Sequence, residues 1–300
     1  MTVLRLQSIV VQIGIDTNLK FWRWSLLSWY FKKLGSRKII EFVIFALFIF
    51  FFLGPLINLA LLAFSGQWQF PAALPQSWSL TWWKYVLSQP EILKSIGLSF
   101  LIAIVVTALS IIICVPAAYA FARIRFPLSR WFLFSFLLTN AFPKMGLYVA
   151  IAVLFFKVGL MNTFLGVVLI HIVNTLMYMT WIPAASFKSV HQAQEEAARD
   201  AGAGPLRVFW SVTLPMAMPG IIVASIFTFL SSLDEAQGTF MVGMPDYKTM
   251  PLIMYGAVQD YPATAGAVFS ILLTLPTIIL LFVSRRFVSA DVMSSGFTMK

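Results

Sequence analysis

An all-α, polytopic membrane fold with six transmembrane helices is what this sequence predicts, and three observations carry it. Of 300 residues, 60% are apolar and 11% charged, whereas a soluble domain is about 25% charged. Charge is absent from long runs: 42–64, 95–122, 163–187, 208–233, 249–259 and 261–284. Several of these reach the ~20 residues that a helix needs to cross the hydrocarbon core. The basic residues, finally, cluster between the runs rather than within them.

Six spans follow in order: 40–64, 95–122, 131–157, 163–185, 217–241 and 264–284. With the N-terminus in the cytoplasm, 16 of the 21 Lys and Arg fall on inside segments. Lys84, Lys94 and Lys248 fall outside, and Lys144 and Lys157 lie in or at the end of the third span. The positive-inside rule then places both termini in the cytoplasm. It also accounts for the net charge of +10 without nucleic acid as a partner; the partner composition implies is membrane lipid. The chain divides into residues 1–38, a cytoplasmic or interfacial segment, and 39–300, the transmembrane domain. Trp22, Trp24, Trp29 and the basic residues around them suit the headgroup zone, and a disordered tail is the other reading. No short apolar core with a small-residue cleavage site marks a signal peptide. Cys114 is the sole cysteine, so no intrachain disulfide forms.

The connections differ in kind. Outside, 65–94 is rich in Trp, Pro and Ser; Trp68, Trp78, Trp82 and Trp83 read as an aromatic belt or a short re-entrant piece. Inside, 186–216 is polar and helical in composition. Ser189 with Gln192 forms a capping box that starts a helix, and Gly202 and Gly204 stop it, since glycine accepts the left-handed turn. Pro205 suits the first position of a second helix, which Pro215 ends by lacking an amide donor. Ala197 and Ala198 keep this hairpin thin enough for close approach by a partner, and Glu196 supplies a charged contact.

The stretch resembles the EAA loop of permeases from binding-protein-dependent ABC importers. That pattern is E-A-A, three residues, G, nine residues, I, one residue, L-P. Here it reads Glu196-Ala197-Ala198, Gly202, Val212, Leu214, Pro215, with Val212 for Ile the one departure. The resemblance implies that Glu196, Ala197, Ala198, Gly202, Leu214 and Pro215 dock a separate ATPase dimer, which binds ATP and Mg, so that this chain holds no cofactor. It further implies a second permease subunit, similar but not identical, and an extracytoplasmic solute-binding protein, in the inner membrane. E-A-A-R-D-A-G-A at 196–203, T-L-P-M-A-M-P-G at 213–220, S-L-D-E at 232–235 and T-M-P at 249–251 look like permeases for polyamines, opines and phosphonates. The third-to-fourth span region and the basic end at 285–300 resemble maltose-type sugar permeases as well, so both solute classes stay open.

Ionisable and polar residues at bilayer depth mark a pathway or a paired structural site. Asn140, Lys144, His171, Asn174, Asp234 and Glu235 are the candidates. Lys144 lies 14 residues in from Arg130, roughly 21 Å at 1.5 Å per residue. Asp234, in the fifth span and 17 residues from 217, reaches roughly 25 Å, and His171 comes to a similar level. The expectation is one polar cavity, with Lys144 paired to Asp234 or Glu235. Adjacent residues point about 100° apart on a helix, so only one of the two acids faces it. The alternatives are that Lys144 snorkels outward, that the acids form a fixed salt bridge, and that His171 bonds a neighbouring helix.

Other classes fit less well. The two histidines, His171 and His191, fall on different levels, and no His/Asp/Glu cluster has metal-ligand spacing, so an intramembrane enzyme lacks its parts. No G-x-x-x-x-G-K-[ST] phosphate loop occurs, and no inverted repeat of the secondary-transporter kind.

Overall fold

The computed structural model describes residues 36–68, 71–124 and 126–284. The expected N-terminal segment 1–38, apart from its last three residues, and the basic end 285–300 lie outside the described residues. Two compact units are distinguished, 1–58 and 59–300. The described part of the first is the greater part of α1 (Ser36–Ala63), a Phe- and Leu-rich helix with Pro55 inside it.

The second unit begins with a two-stranded antiparallel hairpin, β1 (Ser65–Gln67) and β2 (Ser77–Trp78), followed by α2 (Thr81–Ser88). These strands are the small departure from an all-α chain. The tryptophans of this stretch are tied locally. Trp68 Nε1 donates to the Ala72 carbonyl at 2.9 Å, and Trp83 Nε1 donates to that of Ala63 at 2.9 Å while its ring stacks on Phe64.

The core is three long helices: α3 (Pro90–Arg123), α6 (Phe164–Ser189) and α9 (Leu214–Leu233). Each is apolar because lipid and neighbouring helices are its only surroundings, and each carries an internal proline, Pro116, Pro183 and Pro219. Small residues let them approach closely, as association in lipid favours. A Cβ on Gly220 of α9 would meet Ser186 Cβ of α6 at 2.5 Å. At one end Cys114, Val115 and Ala118 pack with Met179, Phe187, Ala217 and Ile221. Toward the other, Ile102 and Val106 meet Val167, Val168 and Ile172. Ile104, Ile112, Val153 and Phe156 point outward and are exposed.

The third expected span is two half-helices, α4 (Ser129–Ala141) and α5 (Lys144–Val158), bent by 105°. Pro143, which has no amide hydrogen, stands at the break. Counting that pair as one span, six helical segments among the described residues have the length and composition to cross a membrane. The fifth differs most from expectation. It does not begin near 217: α8 (Pro205–Val208) passes through a π-helical segment, Phe209–Thr213, directly into α9. Pro215 therefore does not end a helix. The wider turn, in which the Leu214 amide reaches back to the Phe209 carbonyl, relieves its missing donor. At its far end the span stops at Leu233 instead of 241, and α10 (Gln237–Gly243) is a separate short helix. Then come α11 (Met250–Asp260) and α12 (Ala263–Ser284).

Candidate coupling hairpin and transmembrane cavity

The polar hairpin opens with α7 (Gln192–Asp200), whose N-cap is His191 and not Ser189. The expected capping box does not form, because the Ser189 hydroxyl bonds the Ser186 carbonyl of its own helix at 2.8 Å. The stop is as expected. Gly202 has φ +84°, its amide donates to Arg199 at 2.8 Å, and the Ala203 amide donates to Ala198 at 3.0 Å. This pair of bonds is the Schellman arrangement that glycine favours. Pro205 then begins α8 as expected.

Of two neighbouring acids, Glu196 is exposed and Glu195 is 4% exposed. Sequence reasoning singled out the first and missed the second. Glu195 Oε1 accepts from Arg123 Nε at 3.0 Å and Nη2 at 2.8 Å, and from the Thr213 hydroxyl at 2.8 Å. Arg123 Nη2 also donates to the Val190 carbonyl at 2.9 Å. The last residue of α3, the hairpin and the π segment thus meet on one carboxylate oxygen, and Arg123 ties the end of α6 to them through the Val190 carbonyl. Behind it Phe209 packs edge-on against Tyr119, with ring centres 4.9 Å apart. Turned away from this anchor are Glu196 and Ala197 with the exposed side chains of Leu206 and Trp210, while Ala198 and Leu214 are half-buried and Gly202 and Pro215 exposed.

The intramembrane candidates separate into two groups. A cavity of about 470 Å³ is lined by Lys144 at the start of α5, by Tyr178 of α6, by Phe227, Ser231 and Asp234 along and just past α9, and by Thr274 and Thr277 of α12, among others. Lys144 and Asp234 are both exposed to it; the expected direct ion pair does not form, although Lys144 is near enough for its positive charge to act on Asp234. Asp234 is the C-cap of α9 rather than a residue deep within the span. Asn174 is buried behind the lining, where its amide donates to the Ser231 hydroxyl at 3.1 Å. Tyr178 and Phe227 stack with centroids 5.8 Å apart.

The second group is packed. Glu235 is buried; its carboxylate accepts from the Tyr148 hydroxyl at 2.8 Å and from the Gly238 amide at 2.8 Å, so it holds the corner between α9 and α10. His171 is fully buried, with Nδ1 2.9 Å from the Ser232 hydroxyl and Nε2 2.8 Å from that of Thr239. It ties α6 to α9 and α10 and does not line the cavity. Asn140, near the end of α4, lies 3.4 Å from the neighbouring Thr139 hydroxyl. Thr274 and Thr277 went unnoticed although their spacing of three places them on one helix face. Arg123 closing an uncharged run of 28 residues was the available sign of an anchored end.

The end opposite the hairpin has its own ties. Lys248 pairs with Glu91 at 2.7 Å, and the Asn162 side chain bonds the Asp246 carboxylate. A second cavity of about 640 Å³ opens there between Tyr85, Glu91, Lys248, Tyr255, Asp260 and Tyr261, among others.

Comparison with known proteins agrees with this layout. The chain is 29% identical over 239 residues to the diacetylchitobiose uptake system permease protein NgcG of Streptomyces coelicolor, covering 76% of this chain and 77% of the relative. It is 28% identical over 218 residues to the maltodextrin transport system permease protein MdxG of Bacillus subtilis, 71% and 78%. It is also 28% identical over 191 residues to the putrescine transport system permease protein PotI of Escherichia coli, 61% and 67%. The fold is shared with a bacterial ABC transporter involved in the import of the acidic polysaccharide alginate, at TM-score 0.61 and 19% identity, over 84% of this chain and 96% of the other. The family described as binding-protein-dependent transport system inner membrane component matches residues 114–293. That match takes in the hairpin, Lys144, Asp234 and the helices that hold them. The chain therefore belongs to this family: it is a multi-pass inner-membrane permease of a binding-protein-dependent ABC importer, a transport protein and not an enzyme.

Proposed function

We propose that this permease moves a small polar solute inward, one that is polyamine-, opine- or phosphonate-like and so carries amine or acid groups. The observation that carries this reading is the cavity in which Lys144 and Asp234 face the same space without pairing to each other. Charges left in this way at the wall of a path are available to a solute of either sign. Energy comes from ATP and Mg bound by a separate ATPase dimer, which grips the exposed face of the hairpin at Glu196, Ala197, Leu206 and Trp210. A second permease subunit completes the path, and an extracytoplasmic binding protein delivers the solute. The hairpin and both termini are cytoplasmic, a reading supported by the distribution of Lys and Arg.

Uptake into proteoliposomes by Asp234→Asn and Lys144→Met tests the pathway. Both should lose transport, and wild-type rates in both would end this reading. Glu196→Lys should lose the co-purifying ATPase while inserting normally. Because Cys114 is buried and the sole cysteine, Glu196→Cys gives a single label. Its reaction from the cytoplasmic face is expected.

A neutral sugar is the second reading. It is favoured by the stacked Tyr178 and Phe227 rings and the three hydroxyls of Ser231, Thr274 and Thr277 around the cavity, and by the likeness to NgcG and MdxG. Transport that survives Asp234→Asn but fails in Tyr178→Ala would favour the sugar.

A further inference from the structure

We propose that Arg123 and Glu195 are the positioning pair that transmits movement of the hairpin to α3, and that Thr213 locks the pair to the fifth span. The inference rests on the docking reading above, since something must first grip the hairpin.

The argument begins with burial. The Arg123 and Glu195 side chains are 10% and 5% exposed, so neither is placed for solvent or for a docked partner. Charges are withdrawn from water in this way only when paired and hydrogen-bonded. Here one oxygen, Glu195 Oε1, gathers three hydrogen bonds, two from Arg123 and one from Thr213. A charge-assisted fork holds its geometry more strictly than a single bond. Connectivity gives this a mechanical meaning. Arg123 is the last residue of α3, whose opposite end carries Glu91 at the far cavity. Glu195 sits in α7 next to exposed Glu196, and Thr213 sits in the π segment that runs into α9 and on to Asp234. A displacement applied at 196 therefore reaches both the helix that spans the core and the one that ends at the solute cavity. Apolar contacts are non-directional and can slide past one another. A forked ion pair resists pull and push alike, as a coupling that must work in both directions requires.

The test uses the full importer, reconstituted with its ATPase, its second permease and its binding protein, and reads uptake per ATP hydrolysed. Four variants are compared: Glu195→Gln, the double Arg123→Met/Glu195→Leu, Thr213→Val and Arg123→Lys. The double variant leaves no uncompensated buried charge, so it separates transmission from folding, and Thr213→Val keeps the pair itself. Expected is complex of wild-type composition that still hydrolyses ATP, with uptake per ATP lower by about tenfold in the first two, within the usual range of coupling between sites, and by less in Thr213→Val. Arg123→Lys, which keeps the charge but not the fork, should recover part of it. Wild-type uptake per ATP in the double variant would overturn the proposal and leave docking intact. Loss of the ATPase from the variants would also overturn it, by making the pair part of the docking scaffold. Failure of the ATPase to join even the wild-type chain would overturn the docking reading beneath it.

Discussion

Two of the places among the described residues where a basic and an acidic side chain come together are built in opposite ways. Arg123 and Glu195 are enclosed, forked together and joined by Thr213 and the Val190 carbonyl. Lys144 and Asp234 stand at the wall of a cavity of about 470 Å³ with no ion pair between them. The same ingredients give a fixed joint in one case and an open site in the other. What decides is whether neighbouring backbone and hydroxyl groups complete the hydrogen bonding. Near Arg123 the ends of two helices supply them. At Lys144 the proline break between α4 and α5 leaves space instead.

Substitutions can break or sharpen this contrast. The largest effect on folding belongs to the closed pair: Arg123→Ala or Glu195→Ala alone strands a buried charge and should cost about 3–5 kcal/mol, read as a lowered unfolding midpoint of the purified permease. The apolar double variant should recover most of that loss. If it is as unstable as the singles, the pair is not the source of the effect. Next comes the seam that carries both sites, where Gly220 approaches Ser186. Gly220→Val should cost up to about 3 kcal/mol through overpacking, measured the same way, with partial relief from Ser186→Gly. Tyr148→Phe is smaller still. It leaves one Glu235 oxygen without its donor at a cost of about 1 kcal/mol or somewhat more, and a neutral result would mean that the Gly238 amide suffices. Last are Asp234→Asn and Lys144→Met, which should stay within about 0.5 kcal/mol of wild type while transport fails. Marked destabilisation by either would show that the open site is a second joint, and the contrast would disappear.

Much of the frame was readable from residues alone because membrane spans are announced by what they lack. The uncharged runs foretold five helices within a few residues at most ends, while the third span, expected over 131–157, is broken at Pro143. Gly202 foretold its own left-handed turn, a local requirement that no tertiary contact has to supply. The rest depended on partners far apart in sequence. Nothing local distinguishes Glu195 from Glu196; only Arg123, 72 residues away, decides which one turns inward. Asp234 and Glu235 posed the same question: one of them was expected to face the cavity and one does, but both lie past the end of α9 at Leu233, where helical spacing no longer sets their directions. Which one faces the cavity was settled by Tyr148 and Gly238. His171 is held by hydroxyls 61 and 68 residues distant; this is the stated alternative of a bond to a neighbouring helix, and nothing local chose it over the cavity. Pro215 misled because a proline was read as a stop, where a widened turn absorbs it.

That widened turn also sets the phase of everything after it. A π turn amounts to one extra residue taken into an α-helix, and each residue of helix is worth about 100° of rotation. Converting this turn to regular α-helix with every residue kept would swing Asp234 by that angle away from Lys144, whereas deleting one residue between 209 and 213 would leave Asp234 facing nearly as it does. The widened turn thus fixes which compass direction the cavity-facing side of the fifth span looks toward.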